Sequence, residues 1–175
     1  MKGWLAFAPI ALLAIIVVAS AFVLLRPGAR ETVSEGDLGR PSPSFSLARL
    51  GGGEQVRSAD FEGRPHLVNF FASWCAPCRI EHPELMRLRQ QGVEILGIAY
   101  KDEPEAAGRF LGELGNPFTA TALDPDGRFA LDMGVAGAVP ETFVLDGEGR
   151  IRLVYRGALT DEVINEQILP ALNSP

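Results

Sequence analysis

Cysteine and histidine are scarce in this 175-residue chain, which has two of each. Two cysteines cannot build the multi-disulfide framework of a small secreted scaffold, which takes four or more. Structural zinc takes four ligands. Cys75, Cys78 and His82 can share a helical face, but His66, the other histidine, lies at the far end of the preceding strand, so the ligand set falls short. Basic charge is scarce as well. The chain has 16 Lys and Arg against 22 Asp and Glu, a net charge of -6, which argues against a nucleic-acid binder with its basic face. There is no internal repeat and no low-complexity run.

The apolar surplus is concentrated at the front. Residues 4–25 (WLAFAPIALLAIIVVASAFVLL) carry no charge and are long enough to cross a hydrocarbon core of ~30 Å as a helix. Ala19-Ser20-Ala21 fits a signal-peptidase site. The apolar run nevertheless continues through residues 22–25, where a cleaved peptide turns polar, so an uncleaved signal-anchor is expected. Lys2 lies before the run and Arg26 and Arg30 lie after it, so the positive-inside rule does not settle the orientation. We therefore read residues 1–25 as a membrane anchor, 26–40 as a polar tether and 41–175 as one domain of common size.

Within the domain, residues 44–50 and 54–57 flank Gly51-Gly52-Gly53 and predict a hairpin. Residues 66–72 (HLVNFFA) and 93–100 (VEILGIAY) read as strands buried on both faces. A helix is expected over 77–91, stopped by Gly92, and a second, amphipathic one over 104–114. Residues 141–146 and 151–157 predict two strands around an Asp146-Gly147-Glu148-Gly149 turn. Thr160 can cap a last helix that weakens at Pro170. This alternation gives an α/β sheet with helices on both faces, in which sites lie beyond the carboxyl ends of strands.

Cys75 falls at that location, between a strand and a helix. Unpaired N–H groups and the helix dipole stabilise a thiolate there, which makes Cys75 the attacking sulfur. Pro77 suits the first helical turn. Cys78, one turn on, can resolve a mixed disulfide. Trp74 either packs as a core aromatic or offers a flat apolar surface to a partner. Covalent haem attachment requires histidine directly after the second cysteine, and Arg79 stands there. Inert buried thiols would not need this strand–turn–helix setting with its internal proline.

These residues resemble the thioredoxin superfamily: "LVNFFASWCAPC" is followed by Pro83, the helix-kinking proline expected there. The resemblance implies a thioredoxin-like fold, with a central mixed sheet, helices on both faces and an N-terminal hairpin extension, preceded by one transmembrane helix. It also implies a cis-proline loop facing the dithiol and holding the substrate backbone, for which residues 134–146 supply Val139-Pro140. Tyr100-Lys101-Asp102, Gly115-Asn116-Pro117-Phe118 and Pro140-Glu141-Thr142-Phe143 narrow the resemblance to the DsbE/CcmG branch, membrane-anchored thiol:disulfide interchange proteins of cytochrome c maturation. Ala136 departs from it, standing where an aromatic is usual. Residues 39–47 (GRPSPSFSL) resemble the amino-terminal strand of peroxidase relatives. A peroxidatic cysteine, however, follows a proline and a hydroxyl residue at fixed spacing, and residues 74–78 lack them.

The resemblance implies a monomeric periplasmic domain, anchored in the inner membrane, that reduces the disulfide of apocytochrome c or of a maturation partner. Its electrons would come from a membrane dithiol donor, with no cofactor or metal beyond the Cys75–Cys78 pair. Glu81, one turn past Cys78, and Glu141, after the cis-proline, are expected beside the dithiol. Carboxylates there oppose the helix dipole, raise the thiol pKa values and favour a reductant. The alternative for Glu81 is a solvated helix charge. Asn69 stands where thioredoxins carry an ionisable aspartate, leaving proton transfer at Cys78 to Glu81, Glu141 or water. Tyr100 and Lys101 either border the site or form a strand end with a solvated lysine, and His66 reads as a loop-edge residue and His82 as a helix-surface residue. The alternatives in function are a general exported reductase, a module that holds apocytochrome or haem without turnover, and a metal carrier.

Overall fold

A computed structural model describes residues 8–24 and 38–174, which fall into two units. The first is α1 (Ala8–Leu24), built from strong helix formers and branched apolar residues, with Pro9 in its first turn where a missing N–H costs little. Its side chains from Leu12 to Phe22 are exposed except for half-buried Ala21. Among the described residues no helix is long and apolar enough to cross a membrane; α1 is described over 17 residues. The ends of the expected anchor and most of the expected tether lie outside the described residues.

The second unit is built on a five-stranded sheet of order β5-β4-β3-β6-β7. Its strands are β3 (His66–Phe71), β4 (Ile95–Tyr100), β5 (Ala120–Asp124), β6 (Glu141–Leu145) and β7 (Ile151–Arg156). β3, β4 and β5 run parallel, whereas β6 and β7 are antiparallel to their neighbours, so the sheet is mixed. β3 and β4 are buried along their whole length, as their continuous apolar runs predict.

Side-chain alternation sends two sets of residues to opposite faces. Leu67, Phe71, Ala99, Val144 and Leu153 form one core with α2 (Ala76–Gln90), α3 (Pro104–Leu114) and the C-terminal helix. Val68, Phe70, Leu96, Ile98 and Phe143 form the other core, with α4 (Arg128–Met133) and the extension formed by β1 (Ser46–Leu47) and β2 (Val56–Arg57).

The structure departs from the sequence-based expectations at four places. The hairpin pairs only β1 (Ser46–Leu47) with β2 (Val56–Arg57), shorter than 44–50 with 54–57. All three turn glycines take positive φ, between 85° and 92°, and the flanking chain turns instead to the main sheet. There the Leu50 N–H donates to the Thr121 carbonyl and the Leu123 N–H to that of Ala48, both at 2.9 Å.

Second, β5 and α4 went unpredicted, because α4 has six residues, too few for periodicity. Tertiary contacts hold it: the buried Asp124 carboxylate accepts the N–H groups of Phe129 (3.2 Å) and Ala130 (2.9 Å).

Third, the C-terminal helix passes Pro170. Thr160 caps α5 (Asp161–Val163), a π turn follows over Ile164–Ile168, and α6 (Leu169–Leu172) closes the chain. The widened turn just before the proline accommodates its ring and missing N–H.

Fourth, both histidines are buried: His82 is not a helix-surface residue, and His66, the first residue of β3 after the loop, is covered. His66 Nδ1 bonds the Arg64 carbonyl at 2.9 Å, and the ring packs 5.0 Å from that of Phe61. His82 Nε2 bonds the Gly115 carbonyl at 3.0 Å, with the ring edge-on to Phe110. Desolvation lowers the pKa of each below 6.5.

Candidate active site

The end of β3 turns directly into α2, and Cys75 is the N-cap of that helix. Its Sγ accepts the Cys78 N–H at 3.1 Å, occupying the place an N-cap oxygen usually fills. Cys75 and Cys78 form a disulfide. They are 5% and 1% exposed, so Cys75 is the more accessible residue of the pair. Pro77 follows in the first helical turn and is exposed, as is Ala76.

Two distant segments complete the surroundings of the disulfide. The Val139-Pro140 peptide is cis, and the Val139 carbonyl oxygen lies 3.4 Å from Cys75 Sγ. Oxidised sulfur carries no proton, so this is a contact that a Cys75 thiol could turn into a hydrogen bond. Pro140 is buried and Val139 half-buried.

On the other side, Trp74 is 60% exposed, which removes the core-aromatic alternative. Its Nε1–H donates to the Lys101 carbonyl at 3.2 Å, and Lys101 adopts a left-handed φ of 46°. Asp102 holds this corner. Its carboxylate accepts the Ser73 N–H (2.6 Å), the Ser73 hydroxyl (2.8 Å) and the Glu103 N–H (3.0 Å). Asp102 had no role in the sequence reading; its place in the Tyr100-Lys101-Asp102 signature was the available signal.

Glu81 lies one turn along α2 from Cys78 and is fully buried, which removes the solvated-charge alternative. Its Oε1 accepts Asn69 Nδ2–H and its Oε2 the Leu159 N–H, both at 2.9 Å. Asn69 Nδ2 also donates to Thr142 Oγ1 at 3.0 Å. The three groups meet because Asn69 and Thr142 are paired across β3 and β6, on the face that α2 covers. Burial pushes the Glu81 carboxyl from 4.5 up to about 7, against the lowering effect of its two hydrogen-bond donors.

Glu141 points the other way. It pairs with Phe70 on β3 and Arg156 on β7, one residue out of phase with Thr142, and so stands on the opposite face of the sheet from Glu81. Its buried carboxylate forms an ion pair with Arg156 Nε at 2.9 Å and accepts the Ala136 N–H at 3.1 Å. The expectation that both carboxylates flank the dithiol therefore resolves into two settings, one without a cation and one paired with arginine. Among the described residues no group of three His, Cys, Asp or Glu side chains could hold a metal ion.

The redoxin family profile matches residues 37–169. The thiol:disulfide interchange protein HelX of Rhodobacter capsulatus is 45% identical over 171 residues, covering 96% of this chain and 95% of HelX. The chain belongs to the DsbE/HelX family of thiol:disulfide interchange proteins. DsbE of Pseudomonas aeruginosa is likewise 45% identical, over 134 residues, covering 76% of this chain and 74% of that protein. A DsbE crystal structure from Chlorobium tepidum has a TM-score of 0.67 at 30% identity, covering 78% of this chain and 99% of that one. A secreted thiol-disulfide isomerase of Corynebacterium glutamicum has a TM-score of 0.71 at 27% identity, covering 85% and 95%. This DsbE/HelX-type chain is thus a thiol:disulfide oxidoreductase with a thioredoxin-like fold, carrying its Cys75–Cys78 disulfide at the start of α2.

Proposed function

We propose that this protein is a monomeric membrane-anchored reductant working on the periplasmic side of the inner membrane, with the disulfide of apocytochrome c or of a maturation partner as its substrate. The N-terminal apolar run, residues 1–25, is the anchor, 26–40 the tether and 41–175 the exported domain. The apolar, exposed character of α1 supports the anchor. An exported domain also fits a chain whose cysteines are held as a disulfide.

In the reduced protein, the Cys75 thiolate attacks one substrate sulfur and the substrate disulfide opens. The other substrate sulfur leaves as a thiolate, and a mixed disulfide joins Cys75 to the substrate. Cys78, deprotonated, then attacks Cys75 Sγ, forming the Cys75–Cys78 disulfide and releasing the substrate as a dithiol. Two electrons have moved to the substrate, and a membrane dithiol donor returns them to the protein. Trp74, Pro77 and the backbone of Val139-Pro140 form the edge against which the substrate chain lies.

The observation that carries the direction of flow is Glu81, buried on the face of α2 that carries Cys78 and half ionised near neutral pH. Its negative charge opposes the helix N-terminus that stabilises the Cys75 thiolate. A poorly stabilised dithiol favours the disulfide, which makes the protein a reductant.

Cys78→Ser tests this reading in cells. The resolving sulfur is gone, so apocytochrome c or a maturation protein should accumulate on Cys75 as a mixed disulfide that reductant releases. Capture of unrelated exported proteins would favour a general reductase. Unchanged binding without a covalent link would favour a holding module, and either result would overturn the proposal.

A further inference from the structure

Between α4 and β6, residues 134–139 carry the chain to the Val139 carbonyl beside Cys75. Val135 anchors its start, with a buried side chain and an N–H that donates to the Ala130 carbonyl at 2.9 Å; the rest has little to anchor it. Gly134, Ala136, Gly137 and Ala138 are exposed, and none has a side chain larger than a methyl group. The ends of β6 and β7 supply further bonds to this segment. Arg156 Nε forms an ion pair with Glu141 Oε1 at 2.9 Å, and Arg156 Nη2 donates to the Gly134 carbonyl at 3.4 Å. Glu141 Oε2 accepts the Ala136 N–H at 3.1 Å. The next residue, Gly157, donates its N–H to the Pro140 carbonyl at 3.0 Å. Arg156 is one-fifth exposed and Glu141 buried, so water competes weakly for the ion pair between them.

We propose that Arg156 is a positioning residue: through its guanidinium and the Glu141 carboxylate it clamps residues 134–136 and so fixes where the Val139 carbonyl meets the substrate chain at Cys75. The proposal rests on the reading of that loop as the substrate edge. A guanidinium suits the task because its planar fork serves the carboxylate and the carbonyl at once. A lysine ammonium, as a point charge, can meet the carboxylate but not both in that geometry.

The test compares Arg156→Met and Arg156→Lys in the full chain. Two quantities are read: hydrogen exchange of the Ala136 amide in the oxidised protein, and KM and kcat for reduction of an oxidised synthetic Cys-X-X-Cys-His peptide. Losing a charge-assisted hydrogen bond in Arg156→Met should speed Ala136 exchange and raise KM, each by about tenfold, with kcat within about twofold. Arg156→Lys should recover part of both losses.

Wild-type Ala136 protection, or a wild-type KM, in folded Arg156→Met overturns the proposal. So does a fall in kcat at constant KM with a displaced Cys75 titration, which would mean that Arg156 acts on the thiol charge. If Arg156→Met does not fold, Arg156→Lys decides alone, and wild-type KM and exchange there overturn the clamp. If the wild-type protein fails to reduce the peptide, the functional reading falls, while Ala136 exchange still decides whether the clamp exists.

Discussion

Glu81 should leave its mark on the stability of the oxidised protein as pH changes. Its carboxyl is fully buried, and its pKa rises from 4.5 in an unhindered glutamate to about 7 in the folded protein. Each pKa unit corresponds to about 1.36 kcal/mol, so favouring the neutral acid is worth about 3.4 kcal/mol at most. The group binds its proton more tightly folded than unfolded. The stabilisation is therefore fully present below pH 4.5 and is lost as pH rises through about 7. Between about pH 5 and about pH 8 the wild-type protein should lose about 2.5 kcal/mol from this source.

His66 and His82 act in the opposite direction. Their pKa values are lowered by burial, so their contribution is lost as pH falls below 6.5. The raw pH curve mixes these signs, and the difference between wild type and Glu81→Gln separates them, because both proteins share the histidines. Urea unfolding of the disulfide forms measures it, and the cysteines do not titrate in that state. The comparison must be of slopes. A glutamine amide turns an N–H₂ toward either Asn69 Nδ2 or the Leu159 N–H and costs absolute stability at every pH. Parallel pH curves for the two proteins would refute the desolvation of Glu81 and, with it, the electrostatic argument for a reductant.

Asp102→Ala removes the acceptor for three hydrogen bonds and strands the Ser73 N–H. A loss of about 2–3 kcal/mol is expected in urea unfolding, with altered quenching of Trp74 fluorescence as its corner loosens. Gly97→Ala would place a Cβ 2.5 Å from the Phe118 ring across β4. That overpacking should lower stability by about 1–3 kcal/mol, read as a lower urea midpoint at unchanged slope.

The central strands and the first two domain helices were legible because each carries its own signal: continuous apolar runs for β3 and β4, a proline start and glycine stop for α2, and a 3.6-residue stripe for α3. The cis-proline was legible only through the family pattern, since nothing local in Gly134-Val135-Ala136-Gly137-Ala138 announces it. What escaped was long-range pairing. Asp102 reaches Ser73 across 29 residues, and Leu159 reaches Glu81 across 78. β5 and α4 are too short to signal themselves and rest on Asp124 and on the chain around Leu50. Reading histidines as surface residues failed because a carbonyl acceptor and an aromatic neighbour, both set by the fold, offset the cost of burying imidazole.

The phase of β6 determines what the two carboxylates can do. From sequence, Glu81 and Glu141 looked equivalent, two acids near one dithiol. Register sends Thr142 to the α2 face and Glu141 to the other, and this difference separates their electrostatics. Glu141 carries a guanidinium at 2.9 Å, so the pair presents a dipole whose field falls off faster with distance than that of a single charge. Glu81 has donors but no cation among the bonds that hold it, and its ionisation adds a whole negative charge on the α2 face that carries Cys78. The helix N-terminus, worth roughly half a positive charge, is then opposed chiefly by Glu81. Under the proposed function, the direction of electron flow rests on the buried acid that has no cation, and the fit of the substrate chain on the acid paired with arginine.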